Sequence, residues 1–199
     1  MKILNLYAGI GGNRKLWGSG HQITAIEHDP KIAKIYSDFF PKDKIIVGDA
    51  HQYLLENYTQ FDFIWSSPPC QSHTKMIRSG RNRSPRYPDM RLYEEILFLS
   101  CNFRGKWIVE NVVPYYTPLI KAKKIGRHLF WSNFEFTCKE VSPPKNFINL
   151  GDVEGSNILK KWLGLEYPGN IYYEKNHDPS QILRNCVHPE VGRTILESL

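Results

Sequence analysis

Residues 61–73 read FDFIWSSPPCQSH. The first five, Phe61 to Trp65, form an apolar, aromatic-rich run with a strand's composition. Pro68 and Pro69 cannot donate to a sheet ladder, so they end that strand and stiffen the chain leaving it. Cys70 then falls at the strand's carboxyl end, where open α/β sheets gather their ligands. The alternative fate for a cysteine is an inert buried thiol. The surrounding pattern has to decide.

Working outward, strand-like segments at 3–8, 23–27, 44–47, 61–66 and 106–110 alternate with helix-like segments at 30–40, 51–57 and 91–101. Such alternation implies βαβ units and a doubly wound, mostly parallel α/β sheet covered on both faces. LFWSNFEF at 129–136 predicts a further strand over 130–136. After Thr137 the rhythm fails. Pro143, Pro144, Gly151, Gly155, Gly164, Pro168 and Gly169 punctuate a stretch with one predicted helix, near 158–165. Pro189 opens a final helix running to 199. The expected organisation is a core at 1–137, a small irregular insert at 138–180, and a segment at 181–199 returning to the core.

With 199 residues, 41% hydrophobic and 23% charged, the chain has the composition of one globular unit with a well-buried core. No apolar run is long enough to span a bilayer, and Lys2 to Ala8 lead directly into glycines without a signal-peptide pattern, so a cytoplasmic location is expected. Cys70, Cys101, Cys138 and Cys186 are scattered with no CxxC pair, which argues against a zinc ribbon or a disulfide framework; no metal is expected. A net charge of +6 permits a polyanionic partner.

Residues 6–12 read LYAGIGG, a glycine turn directly after the first strand. Such a turn lets the backbone bend sharply and a ligand approach closely. Arg14 stands where the third glycine of G-x-G-x-x-G belongs, and no G-x-x-x-x-G-K-[ST] is present, so a nucleotide-like ligand without a pyrophosphate is favoured. Glu27 closes the second strand fifteen residues after Gly12, placed to grip ribose hydroxyls. Asp49 follows the third strand, where an acid can accept from an adenine amino group. A solvated helix cap is the plain alternative for each acid. Strand ends in register with a glycine turn point instead to an adenosine-type cofactor.

Taken together, LYAGIGG at 6–12, Glu27, Gly48-Asp49, PPCQS at 68–72, ENV at 110–112, Arg127 and Asn185 resemble the cytosine-5 DNA methyltransferase family, in that family's order. PPCQS followed about forty residues later by a strand ending in ENV is the specific part. The resemblance implies a Rossmann-like methyltransferase fold and S-adenosylmethionine as cofactor. Tyr7, Ala8, Gly9, Gly11, Gly12, Glu27, Asp49, Ala50, Pro69 and Asn185 would lie around that cofactor. It implies duplex DNA as partner, with the target cytosine flipped out of the helix, RNA as a possible partner, and a monomeric enzyme. Cys70 would attack C6 of the cytosine, Glu110 would protonate or hydrogen-bond N3, and Arg127 would help hold the base. A thiol of pKa about 8.5 is little ionised at neutral pH, so a cationic surrounding is expected near Cys70. Glu110 must carry or share a proton, which calls for a buried carboxyl; capping a following helix is its alternative role.

Gln71 to Arg91 carries Lys75, Arg78, Arg81, Arg83, Arg86 and Arg91 against one acid, Asp89. A solvated face is the ordinary meaning of such a run. Beside the proposed nucleophile it is read as a loop closing on nucleic acid, with Gln71, Ser72, Lys75, Arg78, Arg81 and Arg83 as contacts.

The chain departs from the family in three places. Lys123-Lys124-Ile125-Gly126-Arg127 keeps only the last arginine of a Gln-x-Arg-x-Arg pattern, and His128 beside it could share the work. Arg184 replaces a glycine ahead of Asn185. The insert is short for a target-recognition region, which implies a short recognition sequence or relaxed specificity. Its aromatics Trp162, Tyr167, Tyr172 and Tyr173 are read as packing on the core in preference to stacking on bases.

Three rivals remain. An exocyclic-amino methyltransferase carries an aromatic residue where Cys70 stands. A tRNA-methylating branch exists within the DNA-type family, and the short insert suits it. A silent nucleic-acid-binding module has no use for an intact set of catalytic residues.

Overall fold

The computed structural model describes residues 1–78, 87–169, 171–172 and 178–199, with backbone alone at 77 and 78. In chain order the elements are β1 (Lys2–Leu6), β2 (Gln22–Glu27), α1 (Pro30–Phe39), β3 (Lys44–Val47), α2 (Ala50–Asn57), β4 (Phe63–Ser66), α3 (Arg91–Asn102), β5 (Lys106–Val112), β6 (Lys123–Ile125), β7 (His128–Ser132), α4 (Val153–Leu163), α5 (Gln181–Asn185) and α6 (Pro189–Leu196). The strands form one seven-stranded sheet in the order β3-β2-β1-β4-β5-β7-β6. β1 to β5 run parallel, and β7 is antiparallel to both of its neighbours.

Strand periodicity sorts the core into two layers. Leu4, Leu6, Ile64 and Val109 face α2 and α3, burying Leu54, Leu92, Ile96 and Leu99. Their alternates Ile3, Phe63, Trp65, Ile108 and Phe130 face the opposite way, against Trp17 and the α6 residues Val191 and Ile195. A third cluster joins α1 through Ile32 and Ile35 to Leu159 and Leu163 of α4 and Ile182 of α5. Consecutive connections leave β1 and β4 in opposite directions across the sheet, which opens a crevice at their carboxyl ends. The PPC turn predicted to end β4 stands at that crevice.

The later elements differ from their predicted bounds for local reasons. β7 ends at Ser132 because the Asn133 side chain accepts from Trp107 N (3.0 Å) and donates to Gly105 O (2.8 Å), turning the chain away. α4 starts five residues before its predicted start. Asp152 caps it by accepting from Gly155 N at 2.7 Å, and Gly155, which reads as punctuation, lies inside the helix against Leu150, where a Cβ would come within 2.7 Å of backbone. Gly164, at φ 61°, ends it. β6 and the five-residue α5 have no sequence signal; β6 is a lysine-bearing edge strand.

Candidate active site

The chain after β1 turns back on itself under severe constraint. Tyr7 takes a left-handed φ of 55°, followed by Gly9 at 54° and Gly11 at 80°. Gly9 opens into empty space, whereas a Cβ on Gly11 would lie 2.3 Å from the Phe40 ring and one on Gly12 would lie 2.7 Å from Cys186 Cβ. The turn is sewn to β1 by Asn13 Nδ2 donating to Asn5 Oδ1 at 2.8 Å. Arg14, at the missing third-glycine position, forms a buried two-pronged ion pair with Asp43 at 2.8 and 3.0 Å and lies over Phe40. Arg14 thus locks the loop onto the α1–β3 connection.

Glu27 is buried at the end of β2 and accepts from Gly9 N (2.9 Å) and Asp29 N (3.0 Å). Burial raises its carboxyl above the ordinary value, against those same backbone donors, which favour the charged form. Asp29, not Glu27, caps α1. Asp49 does cap α2, accepting from Gln52 N at 3.0 Å, while remaining exposed at the rim beside Arg91.

The glycine turn, Glu27 and Asp49 form one side of a cavity of about 550 Å³, inside the ~300–1,000 Å³ usual for small-molecule sites. Cys70, Glu110 and Arg127 line the same cavity, together with Tyr7, Ala8, Ala50, Pro69, Gln71 and Asn185. Gly11 does not line it. Ser72 accepts from Asp89 N at 2.9 Å, and Lys75 is exposed in a short 3₁₀ turn. Arg81, Arg83, Arg86 and Tyr173 lie outside the described residues, as does the Arg78 side chain.

The loop after β4 is held from behind. Asn111 Nδ2 donates to Pro68 O at 2.9 Å, and His73 N and Thr74 N both donate to Cys70 O at 3.0 Å. Tyr115 N donates to His73 O at 3.0 Å, which staples the turn after Cys70 to the segment after β5. The β4–β5 register pairs Ser66 with Val109, so Glu110 stands one step further on, level with the start of the PPC turn. Glu110 is buried, no helix follows it, and its Oε1 bonds His128 Nδ1. Arg127 turns elsewhere: its guanidinium donates to Arg184 O and lies 4.3 Å from the Phe147 ring centre.

The electrostatics at Cys70 run opposite to the expected cationic stabilisation. Burial, and then the nearby Glu110 carboxylate, push the Cys70 thiol up to about 11; Arg127 opposes them less strongly. The thiol is therefore protonated in the free protein at neutral pH. Neutralising Glu110 removes one of the two causes.

Sequence reasoning missed Glu95. It is fully buried in α3 and is met by Tyr7 Oη (2.6 Å), Ser66 Oγ (2.5 Å) and His51 Nδ1 (3.1 Å). It ties α2, α3 and the ends of β1 and β4 together beneath the cavity. Its signal was an acid on the apolar face formed by Leu92, Tyr93, Ile96 and Leu99. The insert aromatics Trp162 and Tyr167 do pack inward, against Phe147 and Phe39.

The model of the C-5 cytosine-specific DNA methylase family matches residues 1–114, more than half of the chain. The chain belongs to that family. Its relatives include the tRNA (cytosine(38)-C(5))-methyltransferase of Mus musculus, 29% identical over 118 residues, with 56% of this chain and 28% of the relative covered. The Homo sapiens protein of the same name is 29% identical over 86 residues, covering 40% of this chain and 22% of the relative. The chain thus spans about a quarter of the length of these curated relatives. Among solved structures, a Spodoptera frugiperda DNMT2 mutant is 27% identical with a TM-score of 0.40, covering 56% of this chain and 35% of that one. Entamoeba histolytica methyltransferase EhMeth is 14% identical with a TM-score of 0.47, covering 76% and 60%.

The cofactor of this family is S-adenosylmethionine. The cavity suits it: Gly9 leaves open space beside a buried acid, at the carboxyl ends of β1 and β2, with room for a nucleoside and its amino-acid arm. Among the described residues no cluster of metal-binding side chains is present, and no helix is long and apolar enough to cross a membrane.

Proposed function

We propose that the protein methylates C5 of cytosine in nucleic acid through a covalent Cys70 adduct, with DNA as the substrate. The observation that carries this reading is that Cys70 and Glu110 line the same cavity as the glycine turn and Glu27. C5 of cytosine is a poor nucleophile until C6 is substituted. Cys70, once its thiol proton has passed to water, adds as the thiolate to C6 of a base flipped into the cavity while Glu110 gives its proton to N3, so that C5 gains enamine character. Glu110 must be neutral for that donation, and its neutrality relieves the repulsion that holds the Cys70 thiol protonated. S-Adenosylmethionine, when bound, supplies the electrophilic methyl group. Water then takes the C5 proton, the electron pair of that C–H bond re-forms the C5=C6 double bond and expels Cys70 as the thiolate, and N3 returns its proton to Glu110.

Tyr7, Ala8, Gly9, Gly12, Glu27, Asp49, Ala50, Pro69 and Asn185 are proposed to hold the cofactor, with Glu27 on the ribose side. Gly11 is assigned the turn itself. Residues 1–137 are proposed as the catalytic core, 138–180 as a reduced target-recognition region, and 181–199 as the returning segment. Gln71, Ser72, Lys75, Arg78, Arg81 and Arg83 are proposed to contact the nucleic acid, at its phosphates and around the extruded base.

A second reading, tRNA as substrate, is favoured by the names of the two curated relatives. Nucleoside mass spectrometry on DNA and RNA from cells expressing the protein or Cys70→Ala separates the readings. 5-Methyldeoxycytidine that vanishes with the variant supports DNA, and 5-methylcytidine confined to RNA moves the substrate to tRNA. N4-Methylcytosine surviving Cys70→Ala overturns the mechanism.

A further inference from the structure

We propose that His128 is the positioning residue that turns Glu110 toward the base, a role that rests on the methyltransferase reading above. The β5–β7 register pairs Glu110 with Phe130 and Val112 with His128, so His128 is the diagonal neighbour of Glu110 across an antiparallel pair. Its Nδ1 bonds Glu110 Oε1, with side chains only 13% and 7% exposed. The ring is stacked on Phe130 at 25° between planes, which fixes its orientation. Arg127, the neighbouring cation, is engaged by the carbonyls of Arg184 and Cys186 and makes no hydrogen bond to Glu110 among the described residues.

The hydrogen-bond chemistry then selects one arrangement. Glu110 has one proton to present to N3. If Nδ1 lacked a hydrogen, Oε1 would have to spend that proton on the imidazole. With Nδ1–H donating to Oε1, the proton sits on Oε2, which has no partner among the described residues. When Oε2–H passes its proton to N3, Nδ1–H stabilises the carboxylate left behind; when Cys70 is expelled, the proton returns from N3 to Oε2. His128 never needs to touch the base.

Two variants test this against methyl transfer from tritiated S-adenosylmethionine to duplex DNA and to tRNA. His128→Ala removes the donor and should lower kcat by ~10²-fold, the scale of a misplaced reacting group, with KM for S-adenosylmethionine unchanged. His128→Asn places an amide N–H near the Nδ1 position and should recover activity to within ~10-fold of the parent. Equal activity in all three proteins, or equal loss in both variants, overturns the proposal. An inactive parent on both substrates defeats the methyltransferase reading instead, and ¹⁵N spectroscopy of the imidazole then judges His128 without any substrate. A proton on Nδ1 that is kept in Glu110→Gln and lost in Glu110→Ala supports the proposal; an Nε2–H tautomer in the parent overturns it.

Discussion

Glu27 and Glu110 are the same residue type, each buried at a strand's carboxyl end and each lining one cavity, yet their surroundings differ in kind. Glu27 is held by peptide N–H groups, of Gly9 and Asp29, which do not titrate. Glu110 is met by an imidazole and stands near a thiol and a guanidinium. The first arrangement shapes a loop and keeps it shaped. The second gathers ionisable side chains around one carboxyl. On the proposed function, the Glu27 side of the cavity binds and the Glu110 side reacts.

The largest effect falls on the reacting half. Cys70→Ala should reduce methylation by ~10⁶-fold, the scale seen when a covalent nucleophile is removed, while cofactor affinity measured by calorimetry stays unchanged. Glu110→Gln should cost ~10²–10⁴-fold in kcat, the usual worth of a general acid, yet it should make Cys70 more reactive toward iodoacetamide. The sign follows from the causes: the carboxylate helps push the thiol up to about 11, so its removal lowers that value and raises the thiolate fraction at any fixed pH below it. A variant alkylated more slowly than the parent would contradict the electrostatic account.

Beneath both halves lies Glu95. Glu95→Ala leaves Tyr7, Ser66 and His51 without their shared acceptor and should destabilise the fold by about 3 kcal/mol in urea denaturation. The smallest effect belongs to the binding half. Glu27→Gln keeps the size but leaves one acceptor oxygen for the two N–H donors of Gly9 and Asp29, for an expected loss of ~10-fold in S-adenosylmethionine affinity. Because burial raises the Glu27 carboxyl, affinity in the parent should already fall at a pH above that of an ordinary carboxylate, and the variant should lack that dependence.

The parallel sheet was legible because its strands are short apolar runs ended by glycine or proline, and the chemistry sits at those ends. Cys70 and Glu27 stand out at such strand ends, whereas Glu110 stands out only through the family resemblance carried by ENV at 110–112. Cys186 shows the alternative that the Cys70 stretch had to be weighed against: a buried thiol, bonded to Ile182 O and pushed up to about 12. What stayed hidden depends on side chains meeting across the fold. Arg127 and His128 are adjacent in sequence, but Arg127 lies in the turn before β7 and reaches the C-terminal segment, whereas His128 opens β7 and meets Glu110. Gly11 looks like a ligand-facing glycine, yet its space is taken by Phe40. Gly155 looks like a break but serves close packing, which moved the start of α4.

The proposed mechanism stands or falls on Cys70 becoming covalently bonded to C6 of a cytosine. The most direct test is intact-protein mass spectrometry after incubation with S-adenosylmethionine and 5-fluorocytosine substituted into duplex DNA or tRNA. Fluorine at C5 cannot leave as a proton does, so the adduct cannot resolve. The expected result is a denaturation-resistant species carrying the nucleic acid and one methyl group, mapped to Cys70 by peptide sequencing and absent from Cys70→Ala. Methylation of ordinary cytosine by the same preparation without any trapped adduct would contradict it.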